Sequence, residues 1–322
     1  MLSTDTANMN AFLCSAMYTL DLTAINIADD PTLETDFGPF KIIDISWPGH
    51  GTMNAATFRH HTGSMYIAYR GTGANNWRFN ADSAFGESPS YMQLWAHEYF
   101  DETIKRHYFG QEKLYVTGHS QGGNNAIYAA LFSEHGCEIT NVIAFDAPGF
   151  SHAVINAAQH LSAEHFLAMQ KKIYALNGEN DFVHPLGEVN VILPENSFYI
   201  RTPSAECARG CHDITTRFIP GTNQLNEWGH HVERGQIPQV VASINANFIE
   251  HLTPAQRQNA AAFFMALVER RIGNGLRPQD IGVRDALLAV RDMSIVLAKT
   301  AKSARRSRAS LRTPRRKWNI LA

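Results

Sequence analysis

The 322-residue sequence has no run of about 18 uncharged apolar residues, so no membrane-spanning helix is expected. Its first twenty residues lack a basic segment and place Asp5 ahead of a short apolar stretch, so no cleaved secretory signal is expected either. Cysteine is scarce. Cys14, Cys137, Cys207 and Cys211 in a chain this long do not make a disulfide framework, and a reducing, cytoplasmic setting is the default, with signal-independent secretion as the other route. Charged residues are also few, at 18% against 44% apolar and 10% aromatic, a balance that buries a large core and excludes a disordered chain.

The near equality of 28 basic and 30 acidic residues hides a segregation. From Lys299 to Ala322 there are basic residues at Lys299, Lys302, Arg305, Arg306, Arg308, Arg312, Arg315, Arg316 and Lys317 and no acid, which leaves the body acidic. Such a tail is expected to be disordered or transiently helical, and Lys299–Lys317 can make peripheral contact with an anionic membrane surface, opposing the repulsion of the acidic body. The body has no basic patch interleaved with aromatics, so nucleic acid ranks last among partners.

Strand-like segments rich in β-branched and aromatic residues occur at Ile42–Trp47, Ala55–His61, Ser64–Arg70, Leu114–Thr117, Asn141–Phe145, Lys172–Leu176 and Ser197–Arg201. Helical stretches at Tyr91–Tyr108, Gln121–Glu134 and Ser151–Met169 alternate with them. That order predicts an α/β fold, a mostly parallel central sheet flanked by helices, with the opening strands as an antiparallel edge. After about Thr215 the strand signal fades, and Ile237–Glu250, Pro254–Arg271 and Pro278–Ala298 read as helices. The expected division is a sheet-bearing body at 1–215, a helical C-terminal extension at 216–298 and the basic tail at 299–322.

The sharpest motif is Gly118-His119-Ser120-Gln121-Gly122, after a short apolar strand and before a helical stretch. This G-x-S-x-G pattern sets a serine on a strained strand-to-helix turn, where side chains at 118 and 122 would collide with their surroundings, and where helix N–H groups face negative charge. A serine hydroxyl is a weak nucleophile without a base, so a histidine and a carboxylate must follow. His212, on the loop after the last strand, is the expected base. Asp181 and Asp146 end adjacent strands and compete to orient it; Asp181 is favoured, with Asp146 shaping the loop beside Ser120. Cys207 to His212 is one residue too long for C-x-x-C-H and lacks a second Cys/His cluster, so it is read as a disulfide loop or a pair of thiols, and no metal or cofactor is expected.

These residues resemble the class 3 lipases of the α/β-hydrolase superfamily, over roughly residues 60–215. Tyr69-Arg70-Gly71-Thr72 with Asn76-Trp77 and Asp82 is similar to that family's oxyanion segment, and Asn180-Asp181-Phe182-Val183 to its acid-bearing segment. The sequence departs from the family at Gln121, where a Leu is usual, and at Asp146, and looks closer to a bacterial branch of lipase-like proteins. The resemblance implies an α/β-hydrolase fold and a Ser120, His212, Asp181 triad acting on an acyl ester or lipid. It also implies an oxyanion hole from Thr72 and Gln121 and a lid position at Gly73–Pro89. The alternative is an idle hydrolase scaffold that binds membranes or partners through its basic tail.

Overall fold

Apolar side chains that alternate with a period of two build the centre of the molecule. The computed structural model describes residues 2–46, 54–73, 77–202, 210–272, 288 and 291–302. Among the described residues nine strands lie in sequence order across one sheet: β1 (Thr32–Leu33), β2 (Phe40–Ser46), β3 (Ala55–His60), β4 (Met65–Tyr69), β5 (Leu114–His119), β6 (Asn141–Phe145), β7 (Ile173–Gly178), β8 (Ser197–Ile200) and β9 (Trp228–Gly229). The five strands β4 to β8 pair in parallel. The pairs β1–β2, β2–β3, β3–β4 and β8–β9 are antiparallel. The sheet is therefore mixed rather than mostly parallel, because β1 and β9, two residues each, extend it beyond the segments long enough to leave a periodic signal.

The helices are α1 (Thr4–Thr19), α2 (Trp77–Phe85), α3 (Tyr91–His107), α4 (Gln121–Phe132), α5 (His152–Leu161), α6 (Ala163–Gln170), α7 (Gln236–His251) and α8 (Pro254–Ile272). They cover both faces of the sheet. On one face Ile67, Val116, Val142 and Ala144 pack with Phe100 of α3 and Ile127 of α4. On the other, Tyr66, Ala68, Tyr115 and Ile143 pack with Leu13 and Met17 of α1. Neighbouring residues of one strand thus serve opposite cores, as the pleat requires.

Two segments differ from the sequence expectation, and a third, at the N-terminus, has no expected element. Ser151–Met169 is two helices, because Ser162 adopts an extended backbone (φ −161°) and its side chain accepts the N–H of His165, capping α6. The N-terminal segment is a helix capped by Ser3. The stretch expected as a loop at the lid position contains α2, whose Ala81, Ala84 and Phe85 pack with Phe248 and Leu252 and with Ala260 and Ala261 of α8. Arg257 pairs with Glu188 at 2.8 Å and Asn245 donates to the Gly187 carbonyl, which ties α7 and α8 to the body as well.

Residues 291–302 are helical, so helix runs past Ala298 to Lys302. Residues 303–322 of the basic tail, Cys207, Asn76 and most of the 278–290 stretch lie outside the described residues. Among the described residues no helix is long and apolar enough to cross a membrane.

Candidate active site

Ser120 stands between the end of β5 and the start of α4 with φ 59° and ψ −130°, a conformation that side-chain-bearing residues rarely adopt. The turn can be this tight only without side chains around it. A Cβ on Gly118 would strike the Gly122 carbonyl, and one on Gly122 would strike the Tyr69 carbonyl on β4. The Ser120 N–H donates to the Phe145 carbonyl at 2.8 Å, which fixes the turn to β6. Gln121 is the first residue of α4, so its N–H has no acceptor within the helix.

The parallel strands deliver the partners at the same edge. Asp181 follows β7, Asp146 follows β6, and His212 lies in a short turn, Gly210–His212, beyond β8. The His212 ring spans Ser120 and Asp181: Nε2 is 2.8 Å from Ser120 Oγ and Nδ1 is 2.6 Å from Asp181 Oδ1. Asp181 is completely buried, and its other oxygen accepts the N–H groups of Val183 (3.0 Å) and His184 (2.7 Å) and faces His184 Nδ1 at 3.0 Å. Burial alone would raise this carboxyl. The charge and hydrogen bonds of His212 and His184 more than offset it and hold Asp181 well below the usual carboxylate range.

Asp146 is engaged elsewhere. Arg217, fully buried, grips its Oδ2 with Nη2 at 2.7 Å and Nε at 3.0 Å, while the Gly178 N–H donates to Oδ1 at 2.7 Å. Burial would raise Asp146 too, and Arg217 outweighs it, so this carboxyl also lies below its ordinary value. Arg217 Nη2 reaches the Cys211 carbonyl as well, at 2.6 Å, and so anchors the residue next to His212.

A second chain of contacts runs beneath the first. Tyr18 of α1 meets His119 Nδ1 at 2.8 Å, and His119 Nε2 lies 3.6 Å from Asp146. Burial lowers the His119 pKa below its ordinary 6.5, against the pull of Asp146, and raises that of Tyr18, so a protonated Tyr18 shares a hydrogen bond with a neutral imidazole. Tyr18, His184 and Arg217 were missed in the sequence. Tyr18 lies in a segment with no motif, and only the nearness of His184 to Asp181 in the chain pointed to any of them.

Thr72 borders the same cavity as Ser120 and His212, a space of about 330 Å³. Its hydroxyl donates to Asn80 Oδ1 at 2.8 Å. The preceding Gly71 is pressed against the site, since a Cβ there would strike Tyr18 Oη and lie 2.6 Å from the His119 carbonyl and 3.2 Å from Ser120 Cβ. Gly71→Ala is expected to push the Thr72 turn away from Ser120 and slow the reaction of Ser120 with a fluorophosphonate by about 100-fold, as an ångström-scale misplacement does. Labelling rates at Ser120 beside a circular dichroism spectrum would check it.

His119, Asp146 and His212, and likewise Asp146, Asp181 and His184, bring donor atoms within 4.8 Å of one another. In each set the carboxylates are already engaged, Asp146 by Arg217 and Asp181 by His212, so the donors present do not favour a cation.

The buried groups also fix an acid response. His119, with its lowered pKa, stays neutral where the unfolded chain takes up a proton, so stability falls as pH drops below about 6.5. Asp181 and Asp146, both depressed, contribute fully above their ordinary 3.8, and that contribution is lost as pH falls through their lower folded values. The thermal midpoint should therefore decline in two stages on acidification, and His119→Gln should remove the first.

A family model described as Mbeg1-like matches residues 44–174, a span that holds Thr72, Ser120 and Asp146 but neither Asp181 nor His212. No curated protein matches the chain. Among solved structures it is similar to the Rhizomucor miehei lipase in its propeptide complex, at 18% identity and TM-score 0.41 over 66% of this chain and 78% of that one. It is also similar to the Lip2 lipase of Yarrowia lipolytica, at 16% identity and TM-score 0.40 over 63% and 81%. A triacylglycerol lipase of Penicillium expansum aligns at 14% identity and TM-score 0.39 over 74% and 95%.

Proposed function

We propose that the protein is a serine hydrolase of carboxylic esters. The observation that carries this reading is the unbroken relay from Ser120 Oγ through His212 to a buried, ionised Asp181, at 2.8 and 2.6 Å, on a strained turn at a helix N-terminus. In this reading Ser120 Oγ attacks the acyl carbon while its proton passes to His212 Nε2. His212 then gives that proton to the departing alkoxide, which leaves as the alcohol. Water repeats the sequence on the acyl-enzyme, releasing the acid and restoring Ser120. Asp181 holds the imidazole in the tautomer that accepts from serine and balances the imidazolium. The Thr72 hydroxyl hydrogen is committed to Asn80, so its contribution to an oxyanion is its backbone N–H, opposite that of Gln121.

A fluorophosphonate probe tests the reading. It should label the wild type at Ser120 and leave Ser120→Ala unlabelled. Failure to label well-folded wild type, or equal labelling of the variant, would overturn it.

A further inference from the structure

Around Ser120 the space for a substrate is unequal on its two sides. Toward α2 it is filled. The Gln121 side chain, fully buried, donates to Ser83 Oγ (2.8 Å) and Asn125 Oδ1 (3.1 Å), and Gln93 donates to Asn124 Oδ1 (2.8 Å). An acyl chain there would have to break a desolvated network of amides, at the full cost of stranding each group. α2 itself is pinned from behind by Phe248 and α8.

Toward α1 the space is open. The cavity at Ser120 reaches Ser15, Thr19 and Thr215, and the same three residues border a second cavity of about 550 Å³ between α1 and residues 218–223. The threshold is thus made of small hydroxylated side chains. Beyond it lie Phe12, Leu20, Leu33, Phe218 and Ile219, and among the described residues no charged side chain lines the second cavity. Phe12, Leu33 and Phe218 are half-buried with their inner sides on the core beneath, so the wall they form is fixed. Phe12, Ser15 and Thr19 recur at helical spacing and share one face of α1. Ile219 is 41% exposed, an apolar side chain left to solvent at the cavity's rim.

We infer that this second cavity is the acyl subsite: the fatty chain of the ester crosses Ser15, Thr19 and Thr215 and lies between α1 and the 218–223 loop. The inference rests on the ester-hydrolase reading of Ser120 and deepens it to esters of medium or long apolar acyl chains. The apolar wall of Phe12, Leu20, Leu33, Phe218 and Ile219 suits an alkyl chain, and the polar residues that share the lining, Thr216, Thr222 and Asn223 among them, carry no charge to pair with an ionic ligand. The position also makes α1 the element that selects the substrate, while α2 is a fixed wall.

Two fluorophosphonates that differ only in the alkyl group, ethyl against dodecyl, used below their aggregation concentrations, test the assignment with wild type, Ile219→Glu and Ser15→Phe. The dodecyl reagent should inactivate wild type about 10-fold faster or more, because only it buries methylenes in the trough. Ile219→Glu places a charge at the rim and Ser15→Phe fills the threshold; each should bring the ratio of the two rates toward one. Ile219 is at the surface, so its variant keeps the test available if Ser15→Phe does not fold. Equal rates in wild type, or a dodecyl preference that survives both substitutions, would overturn the subsite while leaving the hydrolase reading in place. Labelling of well-folded protein by neither reagent would overturn the hydrolase reading, and the subsite with it.

Discussion

Replacing Asp181 with Asn is expected to lower kcat by about 10⁴-fold while leaving the fold intact. The side chain is isosteric, and its remaining oxygen can still accept the N–H groups of Val183 and His184, which bond one oxygen of Asp181. The amide nitrogen then takes the place of Oδ1 and turns one of its hydrogens toward His212 Nδ1, which can no longer be a donor there. His212 must move its hydrogen to Nε2, where it would donate to Ser120 Oγ instead of accepting from it, and the serine loses its base. Asp146→Asn gives a different result. It removes charge from the partner of Arg217, so its main effect is on stability, with a smaller effect on kcat through the Cys211 anchor. Steady-state kinetics of the two variants, each with a denaturant melt, would separate the two acids. Comparable losses of kcat at both positions would show that the carboxylate next to His212 is not the one that orients it.

That ambiguity between two acids marks where the sequence ceased to be legible. The elbow could be read because its requirement is local: Gly118 and Gly122 are four residues apart and each meets backbone that would clash with a Cβ. Strands β2 to β8 could be read because each carries a run of β-branched and aromatic residues bounded by polar or turn residues. Asp146 and Asp181 both end parallel strands, and what tells them apart is an arginine 71 residues beyond Asp146 in the chain, which no spacing rule reaches. α1 carries buried Asn8 and Asn10 beside its apolar residues, so its buried face does not stand out as an apolar stripe. α2 takes its place from packing against α7 and α8, more than 150 residues away, and the segment reads as a loop in isolation. What the sequence conveyed was the chemistry a turn demands. What it withheld was the set of long-range contacts that pair Asp146 with Arg217 and Asp181 with His212, and that fill one side of Ser120 while leaving the other open.

Arg217→Met is expected to cost about 3–5 kcal/mol of stability, because it strands the buried Asp146 carboxylate. Both partners are fully buried, and Gly178 lacks a side chain where the guanidinium lies, since a Cβ there would run into it. Without Arg217 the largest remaining influence on Asp146 is burial, which raises its pKa, and the folded state takes up a proton that the unfolded state does not. The penalty should therefore shrink at low pH. The double variant Asp146→Leu/Arg217→Met removes the stranded charge and should recover most of the stability, as apolar replacements of buried ion pairs often do. It cannot restore the 2.6 Å bond from Arg217 to the Cys211 carbonyl, which holds the backbone beside His212. The double variant should accordingly melt near the wild type yet retain a kcat deficit of about 100-fold, the usual consequence of a base displaced by an ångström. If kcat returned along with stability, the ion pair would be holding up the fold alone. A persistent deficit in a stable protein would make Arg217 a positioning residue for His212, linking the end of β6 to the loop that carries the base.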